Sequence, residues 1–262
     1  MQMRRHIGRS AGISAVSSTA VVLLIATWVA ASNLLVIDRF SSDPGPGGVP
    51  AGWKVLKFPG INRHTRYSVT GDGDNKFVKA VSDRSASAIY KEVDLDPKNY
   101  PLLSWRWKIE DVLEKGDGRT KGGDDYAARV YVTFHPAPDG DNLFERMRRK
   151  LAQRLFGVTP PDRALNYIWA NRLKKGVAIP NAYTDRAVMV AVESGRDEAG
   201  RWVEEEVNIY RDYRRLFKGE PPRLSGVAIM TDSDNTGEAA TAYYDDIVFK
   251  RDEGAPQAPS SL

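Results

Sequence analysis

The sequence predicts an all-β protein, a single sandwich of antiparallel strands. Most segments beyond residue 52 alternate apolar and polar side chains with a period of two, which leaves one side of a strand for a core. Clusters of Gly, Asp, Asn and Pro interrupt them, giving roughly nine or ten short strands separated by turn residues. Helical periodicity is confined to one clear stretch and one shorter one, so the strands do not belong to βαβ units.

Taken in order, the chain opens with Arg4, Arg5 and Arg9, then runs uncharged from Ser10 to Asn33 around the apolar centre Ala20 to Ala31. That layout is an export signal over residues 1–31, either cleaved after Ala31 or kept as a membrane anchor helix. Either way the remainder is expected outside the cytoplasm, periplasmic or secreted. Residues 32–52 are Pro- and Gly-rich and read as a linker entering a first strand near Trp53 to Phe58. The sandwich is expected over 53–250. Tyr67 to Ser82 reads as two strands around Gly71-Asp72-Gly73-Asp74, and Ser85 to Leu95 as a third. In Pro101 to Val112, Leu103, Trp105, Trp107 and Ile109 share one face, with Ser104, Arg106 and Lys108 on the other. In Tyr126 to Phe134, Ala128, Val130, Val132 and Phe134 oppose Arg129, Tyr131 and Thr133. Ala187 to Ser194, Arg201 to Tyr210, Leu224 to Thr231 and Ala242 to Lys250 supply four more strands.

The helical stretch is Asp141 to Phe156, where Leu143, Met147, Leu151 and Leu155 recur four apart behind a capping Asp141. Its basic face, which includes Arg146, Arg149 and Arg154, suits either solvent or anionic lipid headgroups. Arg211 to Leu224 reads as a shorter helix or turn ended by Pro221 and Pro222, and 251–262 as a disordered tail.

Composition narrows the chemistry. Removing residues 1–31 takes three of 38 basic residues and none of 34 acidic ones, leaving 35 against 34. The near-neutral remainder argues against a nucleic-acid partner. With no Cys and only His6, His64 and His135, disulfides, thiolate catalysis and multi-His or Cys metal centres are excluded. No GxGxxG, Walker or GxSxG motif is present.

Three places could carry function. Trp202, Glu204, Glu206, Asn208 and Tyr210 alternate on one side of their segment. With Arg106, Arg129 and Tyr131 on neighbouring strands they would form a face mixing aromatic planes with hydrogen-bonding groups, as saccharide recognition requires; the alternative is a solvated face with cross-strand ion pairs. Asp124 and Asp125 precede a strand near Arg129 and suit ligand recognition, or a structural salt bridge. Paired with Glu204 or Glu206 they could instead serve a glycan-cleaving enzyme. Asp232 and Asp234 begin a loop that matches an EF-hand at Thr236 and Gly237 but has Tyr243 where a bidentate Glu is needed, leaving a looser calcium site or a plain hairpin turn. Alternation sends Asp245 and Asp246 to opposite faces, which excludes a side-by-side dyad.

The ordered run of "DRF" and "PAGW", then "GGDDYAARVYVTF", "LNYIWAN", "PNAYT", "DYRRLF" and "VAIMTDSDNTGEAATAYYDDIVF" resembles the bacterial family termed domain of unknown function 3047 (DUF3047), over roughly Ile37 to Lys250. That resemblance implies an extracytoplasmic protein and brings no site residues. The pairing of an N-terminal with a C-terminal strand is similar to jelly-roll carbohydrate-binding modules and concanavalin-like sandwiches, and implies a jelly-roll-like fold. The expected function is binding of a saccharide or another polar envelope ligand without cleavage; the alternatives are the glycan-cleaving enzyme and a structural envelope protein touching the membrane through the N-terminal segment or the Leu143 to Phe156 helix.

Overall fold

Side-chain alternation decides the architecture. The computed structural model describes residues 33–41, 44–72, 75–136 and 162–252. The expected signal or anchor over 1–31, the helix at 141–156 and all but the first two residues of the expected tail lie outside them. Among the described residues no helix is long and apolar enough to cross a membrane.

Among the described residues, thirteen strands form two sheets. In the first, β11 (Val203–Asn208), β6 (Leu102–Ile109), β13 (Ala239–Lys250), β4 (Asn75–Asp83) and β3 (Arg66–Asp72) lie side by side in that order. β4 covers β13 only from Ala239 to Tyr244, and β1 (Leu34–Asp38) pairs with the rest, Ile247 to Lys250. The segment expected as linker thus supplies a strand. Asp38 fixes its end by accepting from the Phe40 N–H, the Trp53 indole at 2.8 Å and Lys91 at 3.2 Å, which gives the "DRF" and "PAGW" residues a shared structural role.

The second sheet runs β2 (Lys54–Leu56), β5 (Ala88–Leu95), β12 (Leu224–Met230), β7 (Arg129–Phe134), β8 (Arg163–Ala170), β10 (Ala187–Ser194) and β9 (Ala178–Pro180). All neighbours are antiparallel except β8 and β10, which are parallel. Between the sheets pack the inward faces read from the sequence: Leu103, Trp105, Trp107 and Ile109 of β6 against Val130, Val132 and Phe134 of β7. Trp105 lies 5.6 Å from Tyr167 and Trp107 lies 5.8 Å from Trp169, ring centre to ring centre, so the centre is built from large aromatics that bury much apolar area each. One helix, α1 (Ile209–Phe217), follows β11, where Asn208 Oδ1 caps it by accepting from the Arg211 N–H at 2.9 Å.

Two expectations change. Ile229 to Phe249 is not a hairpin: β12 and β13 belong to different sheets, and Thr231 to Glu238 crosses between them. Turn-forming residues suit such a crossover as well as they suit a tight turn. Asp245 and Asp246 do not part to opposite sides either. β13 carries a bulge between Asp245 and Val248, with Asp246 at φ 51°, and Arg106 meets both carboxylates, Asp245 at 2.5 Å and Asp246 at 3.0 Å. A left-handed backbone costs an L-residue about 1–2 kcal/mol, least for Asn and Asp. Asp246→Ala should therefore lower stability by about 1 kcal/mol. Asp246→Gly should lose less than half as much in chemical denaturation, because the half-exposed ion pair contributes little.

Glu205 is the inward exception on β11, 9% exposed and with Oε1 unpaired. Burial, reinforced by Glu193 and opposed by Lys175, pushes its carboxyl up to about 7. The folded state then binds the proton more tightly than the unfolded chain, so stability falls as pH rises from the ordinary carboxylate range through about 7. Glu205→Gln should stabilise the protein by about 1–3 kcal/mol at pH 8 and change little at pH 4, as read from urea midpoints.

Candidate functional site

The outer side of the second sheet holds the site. Because Ile89, Val227, Ile229, Val130 and Val132 point into the core, their neighbours on β5, β12 and β7 must point out. The register aligns these in rows: Lys54, Tyr90, Ala228, Tyr131 and Asn166 in one, with Glu92, Gly226, Thr133 and Ala164 beside it. Small residues therefore occupy the middle and larger ones the flanks, leaving a groove of about 880 Å3. Its floor is Ala88, Ala228, Gly226 and Ala164, and its walls include Leu56, Phe58, Tyr90 and Tyr131. Lys54, Glu92, Asp94, Thr133, His135 and Ser225 supply polar groups. Gly226 sits where β12 slips register against both neighbours, and a Cβ there would lie 2.9 Å from the Lys91 carbonyl oxygen.

The groove's carboxylates already have cations. Glu92 accepts from Lys54 at 2.7 Å, and Asp94 from Arg223 at 2.5 Å. The Arg223 hydrogen bond holds the Asp94 carboxyl below its usual range. Thr133 and Ser225 hydroxyls are 2.8 Å apart. Asn166, next to Tyr131 across the β7–β8 register, is fully buried and neither atom of its amide makes a hydrogen bond.

Beyond Tyr131 the same face is closed over a charged centre. Arg129 points outward at the start of β7, opposite Met230 of β12, yet is only 2% exposed. Its Nε donates to Asp232 Oδ1 at 2.8 Å, its Nη2 to Asp232 Oδ2, and its Nη1 lies 3.4 Å from both Asp124 Oδ1 and the Tyr131 hydroxyl. The guanidinium also stacks 4.5 Å above the Tyr126 ring. Burial opposes this charge, but Asp232, Tyr131 and Asp124 outweigh it and keep Arg129 protonated. Burial pushes Tyr131 up to about 12 despite Arg129, so its phenol stays neutral. Asp125, fully buried, accepts from the Thr236 N–H at 2.6 Å and from Asn235 at 3.0 Å.

The sequence matches the family described as "Protein of unknown function (DUF3047)" over residues 51–248. This chain belongs to the DUF3047 family. No curated protein matches it. Solved structures similar to this DUF3047 chain include three β-rich domains. One is the family 11 carbohydrate-binding module of a cellulosomal cellulase from Clostridium thermocellum, at 9% identity, 85% of this chain, 97% of that chain and a TM-score of 0.43. Another is the xyloglucanase domain of NopAA from Sinorhizobium fredii, at 9%, 77%, 99% and 0.39. A third is the K1 adhesin domain of Lys-gingipain from Porphyromonas gingivalis, at 14%, 84%, 99% and 0.36. All three TM-scores fall below 0.5.

In this DUF3047 domain the residues anticipated as one ligand face fall on two. Arg129 and Tyr131 belong to the second sheet, whereas Arg106, Trp202, Glu204 and Glu206 lie on or beside β6 and β11 of the first. Asn208 caps α1, and Tyr210, on α1, donates to Glu220 at 2.7 Å. Glu204 and Glu206 thus face solvent from one sheet while Asp124 and Asp125 are buried beside the other, so the paired carboxylates required for glycan cleavage do not form from them. The first sheet's outer side does gather Trp202, Phe77 and Tyr243, but the rings meet edge-on, and Arg106 lies 4.9 Å above Trp202 and Lys108 lies 4.3 Å above Tyr243. The protein's own cations thus sit over two of these rings, closer than Lys54 sits to Tyr90 in the groove, 5.9 Å. Tyr90, Thr133, His135 and Ser225 of the groove were not singled out in the sequence. Their signal was the outward set Ala88, Tyr90 and Glu92, in which an aromatic stands between a small residue and an acid.

Proposed function

We propose that this domain binds a saccharide, or a similarly hydroxyl-rich envelope ligand, in the groove of the second sheet and does not cleave it. The observation that carries the proposal is the row Tyr90, Ala228, Tyr131. Two aromatic flanks stand two strands apart, about 10 Å, over a floor of small residues, a span for stacking sugar rings with hydroxyls directed at Lys54, Glu92, Thr133 and Ser225. A volume of about 880 Å3 is in the range of small-ligand sites. Hydrolysis would need a protonated carboxyl beside the ligand, and the two acids of the groove are paired with Lys54 and Arg223 instead. The basic, then apolar N-terminal segment supports action outside the cytoplasm, on envelope polymers.

A glycan screen on the full chain, followed by calorimetric titration of the best binder, tests this. Ala228→Leu fills the floor without touching the inward core, and should abolish binding while leaving the thermal midpoint within a few degrees. Retained affinity in that variant, or release of shortened glycan by the wild type, counts against the proposal.

A further inference from the structure

The crossover between the sheets carries a second feature that the groove does not use. Oxygen atoms of Asp125, Asp232 and Asp234 lie within 4.8 Å of one another. That is twice the ~2.4 Å bond from calcium to oxygen, the spread of ligands around a single ion. Charge is unbalanced at the same place. Asp124, Asp125, Asp232 and Asp234 bring four carboxylates, and Arg129 is the cation paired with Asp124 and Asp232 among the described residues; four against one leaves a formal −3. Ionised carboxylates taken out of water need a counter-charge or a proton.

An independent observation points to an oxygen-seeking partner. Thr236 is 8% exposed, and its main-chain N–H donates to Asp125 Oδ2 at 2.6 Å, which brings the residue up to that carboxylate. Its hydroxyl is nevertheless buried without any hydrogen bond. A buried hydroxyl without a partner keeps its oxygen lone pairs unused, and a cation held between it and the carboxylates would take one of them. The donors are all oxygen, from an irregular crossover and the loop before β7, which favours calcium over magnesium and its demand for octahedral geometry.

We infer that Asp125, Asp234 and Thr236, with Asp232 as third carboxylate, form a calcium site that ties the loop before β7 to the crossover from β12 to β13. Asp125 and Asp234 are the principal ligands, since Asp232 already accepts from Arg129 and the Tyr126 N–H. The site is separate from the groove, so it stands whether or not a saccharide binds there.

The test is calorimetric titration of calcium chloride into the full chain after chelator treatment, with thermal unfolding in calcium, magnesium and chelator. One ion per chain, and a midpoint raised several degrees by calcium at concentrations where magnesium does nothing, are expected. Asp234→Asn, an isosteric change at a half-buried position, should fold in chelator and bind calcium at least tenfold more weakly. No heat and no calcium-dependent shift in a folded wild type would overturn the site, as would unchanged calcium affinity in Asp234→Asn.

Discussion

Arg129→Ala is expected to destabilise the domain by about 3–5 kcal/mol, the cost of removing one partner from a buried ion pair. The native side chain forks onto Asp232, reaches Asp124 and covers Tyr126. Alanine would leave two carboxylates without that cation, both under 5% exposed. Lysine would restore the charge but not the fork, so Arg129→Lys should recover only part of the loss. The deficit should also depend on pH with a definite sign. Burial already raises Asp232 and Asp124; without Arg129 they rise further, and the folded state gains in their protonated forms. Stability of the alanine variant should therefore fall as pH rises above the ordinary carboxylate range, so the gap from wild type is smaller at pH 4 than at pH 7. Urea denaturation at the two pH values checks both statements, and an equal gap at each would contradict them.

Tyr90→Ala and Tyr131→Ala are each expected to weaken glycan binding by tenfold to a hundredfold, about 1.4–2.8 kcal/mol, as truncation of an aromatic anchor does. The two should differ in their side effects. Tyr90 borders the open groove with Lys54 5.9 Å above its ring, and its loss should leave stability nearly unchanged. Tyr131 also approaches Arg129, so its alanine variant should lose stability as well as affinity. Tyr131→Phe keeps the ring and drops two long hydrogen bonds, from Arg129 and to the Met230 sulfur, and should bind almost as well as wild type. Calorimetry with matched thermal scans separates these outcomes.

The legible part of this protein was whatever alternation alone decides. Alternation places Trp105 and Trp107 inward and Arg129 and Tyr131 outward, because the pleat has period two and needs no partner strand to define it. What alternation cannot say is what covers an outward face. Arg129 was expected beside solvent or ligand, but the loop carrying Asp124 and the crossover carrying Asp232 close over it. Neighbourhood was the larger difficulty. The groove depends on β5, β12 and β7 lying side by side, three strands far apart in the chain, and Tyr90 gains meaning only opposite Ala228. The bulge at Asp246 escaped for a local reason, since a residue in the left-handed region breaks the period on which the face assignment rested.

The most direct measurement is a crystal of the full chain or its complex soaked with the tightest-binding glycan. Density lying along the second sheet between Tyr90 and Tyr131, within hydrogen-bond reach of Thr133 or Ser225, is the predicted result. Density over Trp202 and Tyr243 on the first sheet, with the groove unoccupied, would contradict the account.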